Sequence, residues 1–179
     1  MKKLITLAVA AFLTLSCGGE DDTTIVGASV EGTWDLTAFD INESFDLNGD
    51  GTPSQSLISE AGCYQNSSLE FHSDNTVTIN IEELDINMEL VIGTEDSYEY
   101  TVDCIEATSE TGTYTVIGNN ITITVQGEID GEMHTETILL IRDGDTMTLT
   151  VPEMVNVPVD ENGEVTYSFV GATIEFTKQ

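Results

Sequence analysis

Beyond residue 32, apolar residues recur at every second position through most of the chain. Val77, Ile79 and Ile81 alternate with Thr76, Thr78 and Asn80; Leu84, Ile86, Met88 and Leu90 alternate with Asp85, Asn87 and Glu89. A period of two sends successive side chains to opposite faces, so each run predicts a half-buried strand. Between these two runs Glu82 and Glu83 move the apolar positions from odd to even, which a β-bulge or a tight corner accommodates. The alternation resumes at Tyr98, Tyr100, Val102 and Cys104, then at Ile121, Ile123 and Val125, at Met147, Leu149 and Val151, and at Tyr167, Phe169, Ala172, Ile174 and Phe176. In this last run the phase changes across Val170 and Gly171, where an isolated strand glycine predicts a bulge or a barrel corner.

Turn-forming residues separate the runs. Gly118-Asn119-Asn120, Asp130-Gly131, Asp143-Gly144 and Asn162-Gly163 tolerate positive φ and predict successive hairpins. Strands joined by short turns pair antiparallel, so the pattern predicts an up-and-down meander of about 8–10 strands. One stretch departs from it: TPSQSLISEAG, residues 52–62, predicts a short helical segment near 53–62 or an ordered loop. A meander this long exposes its edges unless it closes, and a closed sheet of about eight strands leaves room for one small ligand. The expected fold class is therefore all-β, an antiparallel closed barrel. The rival, a two-sheet sandwich of immunoglobulin type, places its tryptophan between its cysteines, whereas Trp34 precedes both Cys63 and Cys104.

Residues 1–16 read as a secretory signal: Lys2 and Lys3, an apolar run over 4–15, and a small residue before Cys17. As a helix that run reaches about 18 Å, short of the ~30 Å hydrocarbon core, so it does not span a membrane. The segment resembles a bacterial lipoprotein signal, in which the cysteine is lipidated and becomes the mature N-terminus. Such signals usually carry leucine three residues before the cysteine; here that residue is Thr14, between Leu13 and Leu15. The resemblance implies lipidation of Cys17 and a membrane partner through the anchor; an ordinary secreted protein is the alternative. With Cys17 acylated, Cys63 and Cys104 remain as an even pair in an oxidising compartment, which predicts one disulfide. Residues 17–29, rich in glycine, acids and threonine, read as a flexible tether. Glu20-Asp21-Asp22 resembles the acidic export signal of some Gram-negative lipoproteins, which implies the outer membrane, at the cell surface.

Charge narrows the partners. Acids outnumber bases 33 to 4, giving a net charge of −29, and loss of residues 1–16 deepens it by removing Lys2 and Lys3. Such a chain repels phosphate backbones, and no nucleic-acid partner is expected. An acidic surface keeps a protein soluble in a salty exterior, where screening weakens self-repulsion; a polycationic partner is the other reading.

Trp34 stands in Gly32-Thr33-Trp34, a Gly-x-Trp at the start of the first predicted strand. This resembles the lipocalin family, in which that tryptophan closes one end of an up-and-down barrel and the glycine lets the chain pass closely beneath it. Trp34-Asp35-Leu36-Thr37, the Asp-x-Asn-x-Asp-Gly loop that follows and the short helical stretch leading to a cysteine are similar to lipocalin-like domains of bacterial lipoproteins. The resemblance covers residues 30–179 and implies a lipocalin-like barrel in which Gly32 and Trp34 are structural. Many lipocalins stack an arginine from near the last strand on the tryptophan; here Arg142 lies earlier and Lys178 is a substitute. Nor does a helix follow the last strand.

No Gly-x-Ser-x-Gly, His-Glu-x-x-His or glycine-rich phosphate loop is present, and neither His72 nor His134 sits in a nucleophile motif, so no enzyme activity is expected. Asp46, Asn48 and Asp50 fill the first, third and fifth places of a calcium loop, with Gly51 at the turn and the Thr52 carbonyl as a further ligand. An EF-hand needs a bidentate glutamate at the twelfth place, which is Leu57, so Glu60 or Glu43 would have to complete the shell. The stretch is a calcium site or a solvated turn. Taken together, these features predict a lipid-anchored surface protein that binds a small apolar or amphipathic ligand. The lining residues depend on the bulges and stay undetermined. The alternative is a non-catalytic structural or adhesion module of the same fold with a filled interior.

Overall fold

The computed structural model describes residues 29–179 except 95–96, 130–131 and 162–163. The signal segment, Cys17 and all of the tether before Ser29 lie outside the described residues, as do the Asp130-Gly131 and Asn162-Gly163 turn pairs. The predicted alternations become strands. In chain order the elements are β1 (Gly32–Phe45), β2 (Ser54–Ser56), α1 (Leu57–Ala61), β3 (Ser68–Phe71), β4 (Thr76–Asn80), β5 (Glu83–Leu90), β6 (Tyr98–Ile105), β7 (Glu110–Ile117), β8 (Asn120–Ile129), β9 (Glu132–Asp143), β10 (Thr146–Glu161) and β11 (Glu164–Lys178).

A closed antiparallel barrel forms from β1, β3, β4 and β7 to β11, with β11 returning to β1 from Trp34↔Lys178 to Ile41↔Ala172. Closure satisfies the backbone groups of β1 and β11 that an open meander would expose. β2 adds a short rung to β1, and β5 with β6 forms a separate hairpin. The chain leaves the barrel between Asn80 and Glu83, where the parity shift at Glu82 and Glu83 predicts a corner. The register puts the tight turns β3–β4, β7–β8 and β9–β10 at the Trp34 end, together with Ser29 and Lys178. The long excursions, the 46–67 segment and the β5–β6 hairpin, stand at the other end, the mouth.

Two irregularities decide which side chains face inward. Thr37 is an extra residue in β1 between Leu36↔Phe176 and Ala38↔Glu175, so Trp34 and Leu36 are buried before it and Phe39 and Ile41 after it. In β10, residues 152–154 bulge between Val151↔Ala172 and Val155↔Val170, opposite the predicted phase change at Gly171. A Cβ at Gly171 would stand 2.6 Å from the Pro152 carbonyl oxygen, so only glycine allows that approach. From the floor upward the interior is filled. Trp34, Phe71, Ile121, Ile123, Leu140 and Met147 are almost fully buried, and Phe71 meets Tyr114 edge-on at 5.0 Å. That packing leaves the mouth, and the gaps beside it, as the places where another molecule can enter.

Candidate functional site

At the closed end, Trp34 is 0% exposed and its indole N–H donates to the Val30 carbonyl at 2.8 Å. The Arg142 guanidinium lies 5.2 Å and the Lys178 ammonium 5.4 Å from the ring centroid. Arg142 is thus the stacking arginine despite its earlier place in the chain, because the Met147↔Arg142 rung carries it to the barrel floor. Gly32 takes φ 113, a left-handed conformation, while a Cβ there would lie 3.6 Å from the Lys178 side chain. Backbone conformation, more than close passage beneath the tryptophan, requires glycine at this position.

The mouth is built differently. Cys63 and Cys104 are disulfide-bonded with Cα atoms 5.4 Å apart, tying the segment after α1 to β6. The bond holds the β5–β6 hairpin over the barrel. Tyr64, the next residue, is buried at φ 72 and packs its ring against Phe39 at a tilt of 44°, centroid to centroid 4.8 Å. A left-handed tyrosine costs on the order of 1–3 kcal/mol and persists where its surroundings over-determine it. Burial, and then the charges of Glu82 and Glu83, push its phenol well above the ordinary tyrosine range. Phe39 and Tyr64 floor a cleft of about 370 Å³. Its walls come from the 84–87 segment of β5 on one side and from Met154, Asn156 and Tyr167 on the other. Asp85, Asn87 and Asn156 give it a polar rim around an aromatic floor, an arrangement suited to an amphipathic molecule.

The Asp46 loop lies at the same end and is organised by its own side chains. Asp46 Oδ2 accepts the Gly51 N–H, Asn48 Oδ1 the Asp50 N–H and Asp50 Oδ1 the Thr52 N–H, all at 2.8–2.9 Å. Glu60, 5% exposed, reaches back from α1 so that its Oε2 accepts the Leu47 N–H at 2.9 Å and the Asn48 N–H at 3.4 Å. It pins the loop to the helix through backbone amides. Among the described residues, no three His, Cys, Asp or Glu side chains cluster as metal ligands. Asp46 Oδ1, however, is buried with no hydrogen-bond partner. His72 lies by the β3–β4 turn, its Nε2 2.9 Å from Thr78 Oγ1, and His134 is exposed on β9, so neither lines the mouth cleft.

The model of the lipocalin-like domain family matches residues 30–149, and the chain belongs to that family. No protein of curated function and no solved structure matches the chain. The family is in general a non-catalytic binding fold, and the closed barrel agrees with it. The family match ends before β11, the strand that completes the barrel. Phe39 and Tyr64 were not among the residues the sequence singles out, and Tyr167 was read only as a position in the last strand. The one trace of Tyr64 is its place beside a paired cysteine.

Proposed function

We propose that this chain is a lipid-anchored cell-surface protein that takes a small apolar or amphipathic molecule into the mouth cleft. The Phe39–Tyr64 floor carries the proposal: two packed rings, one in a strained backbone, face a polar-rimmed space of about 370 Å³. That volume suits a ligand of roughly ten or more heavy atoms. The test is native mass spectrometry of protein purified from cell extract, followed by titration with fatty acids, pigments and isoprenoids. A retained small molecule, released by Tyr167→Ala or Met154→Ala with roughly tenfold weaker binding, is the expected result; each tenfold corresponds to about 1.4 kcal/mol. No retained molecule and no binder would remove the cleft proposal. The filled barrel below the mouth would then favour a non-catalytic structural or adhesion module.

Lipidation rests on the residues around Cys17. Cys17→Ser is expected to release the protein from membranes; continued sedimentation with the membrane fraction contradicts the anchor.

A second proposal concerns calcium at Asp46, Asn48, Asp50 and the Thr52 carbonyl. Its support is the partnerless buried Asp46 Oδ1, since a buried carboxylate oxygen without a donor is costly and a cation satisfies it. A native-state site raises the melting midpoint at millimolar calcium relative to chelator. An unchanged midpoint assigns the loop to turn formation alone.

A further inference from the structure

β9 and β10 pair over three rungs, Thr146↔Asp143 to Thr148↔Ile141, and then part. Beyond Ile141, the β10-facing edge of β9 has no strand partner among the described residues. That stretch is still held extended, because β8 pairs with its other edge from Ile121↔Leu140 to Ile129↔Glu132. β10 is turned aside by its 152–154 bulge while keeping β11 on its far edge. Between the parted strands lies a groove of about 530 Å³ whose lining includes Ile138, Leu139, Leu149, Val151 and Met154. Leu139 is 50% and Ile141 56% exposed.

A rigid strand with a free edge beside an apolar groove fits one shape of partner. An added strand satisfies the unpaired N–H and C=O groups, and alternate side chains enter the groove. Free edges are usually blunted by lysine or covered. Here residues 132–141 contain no lysine or arginine, Glu132 and Glu136 stand on the free strand, and Glu153 lies in the bulge between the lining residues Pro152 and Met154, all three acids exposed. A second copy is a poor occupant, since it would set these acids against their equivalents in a protein of net charge −29. A basic strand has the complementary charge. We propose that the β9–β10 seam accepts an extended segment of a partner protein, alternating apolar residues with Lys or Arg, as an added strand on β9. This goes beyond small-molecule binding in the mouth cleft and does not depend on it.

The probe is a labelled peptide of alternating lysine and valine, titrated against the purified chain at low salt by fluorescence anisotropy, with amide hydrogen exchange on the complex. It is expected to saturate and to slow exchange within residues 132–140. A glutamate–valine peptide, and a lysine–proline peptide that lacks alternate amide donors, are expected to bind at least roughly tenfold more weakly. Glu136→Lys with Glu153→Lys should weaken the lysine–valine peptide by roughly tenfold as well, with an unchanged melting curve because both positions are exposed. Equal binding of the three peptides, protection outside β9, or no saturation by about 1 mM overturns the proposal. Concentration-dependent self-association that protects residues 132–140 also overturns it, and gives the edge to a second copy instead.

Discussion

At Tyr64 two unfavourable features coincide, a left-handed backbone and a buried phenol beside two carboxylates. Its folded-state ionisation lies above the ordinary value of 10.0, so the folded chain keeps a proton that the unfolded chain gives up. By linkage, Tyr64 contributes no penalty below about pH 10 and erodes stability as pH rises beyond it. Urea unfolding followed between neutral pH and pH ~11 should show a steeper alkaline loss for the native chain than for Tyr64→Phe; parallel curves would mean the phenol is not held neutral. Gly171→Ala sets a methyl group against backbone, with Pro152 O at 2.6 Å and Val151 O at 3.1 Å. A destabilisation of about 1–3 kcal/mol is expected, read from the shift of the urea midpoint at constant slope. Gly171 was legible in the sequence as a phase break in a strand. Arg142 and Lys178 were both named from the sequence as cations for Trp34; what the sequence did not show was the rung that brings Arg142 to the barrel floor from an earlier strand.

Among the elements, the β5–β6 hairpin depends most on a single bond. The Cys63–Cys104 disulfide spans 41 residues of sequence and fixes one wall of the mouth cleft. Replacing both cysteines with serine is expected to cost ~3–4 kcal/mol by freeing the unfolded chain. Amide exchange over 83–105 should rise more than exchange in β7 and β8, which have barrel partners on both edges. Uniform acceleration across the barrel would instead make the bond a global staple. Most strands, the turns at Gly118-Asn119 and Asp143-Gly144 and the disulfide could be read from alternation, glycine placement and cysteine count, whereas β7 and β9 carried no alternation that stood out. The cleft could not, because its walls follow from the Thr37 and 152–154 bulges, each of which resets which face of a strand points inward. The charge pattern at Glu82 and Glu83 marked the corner but not that the following hairpin leaves the barrel.

For the whole molecule, closure is the cooperative event. The family match stops at residue 149, yet the ladder that joins the sheet to itself is made by β11. A chain ending at residue 161 is expected to lose cooperative thermal unfolding and fixed near-UV dichroism, since Leu36, Ile41 and Trp34 would line an open edge. A sharp transition in that truncated chain would show that the first ten strands suffice. The acidic composition left both solubility and a polycationic partner open, and only the geometry of the parted β9 and β10 suggested where such a partner would sit. Ser29 and Lys178 meet at the closed end, where the Lys178 ammonium donates to the Ser29 carbonyl. If Cys17 is moored in a bilayer, the described chain begins at Ser29 on the closed end, so the mouth lies at the end of the barrel away from the point of attachment. A ligand proposed for the mouth would then enter at the end away from the anchor, without first passing the attached floor.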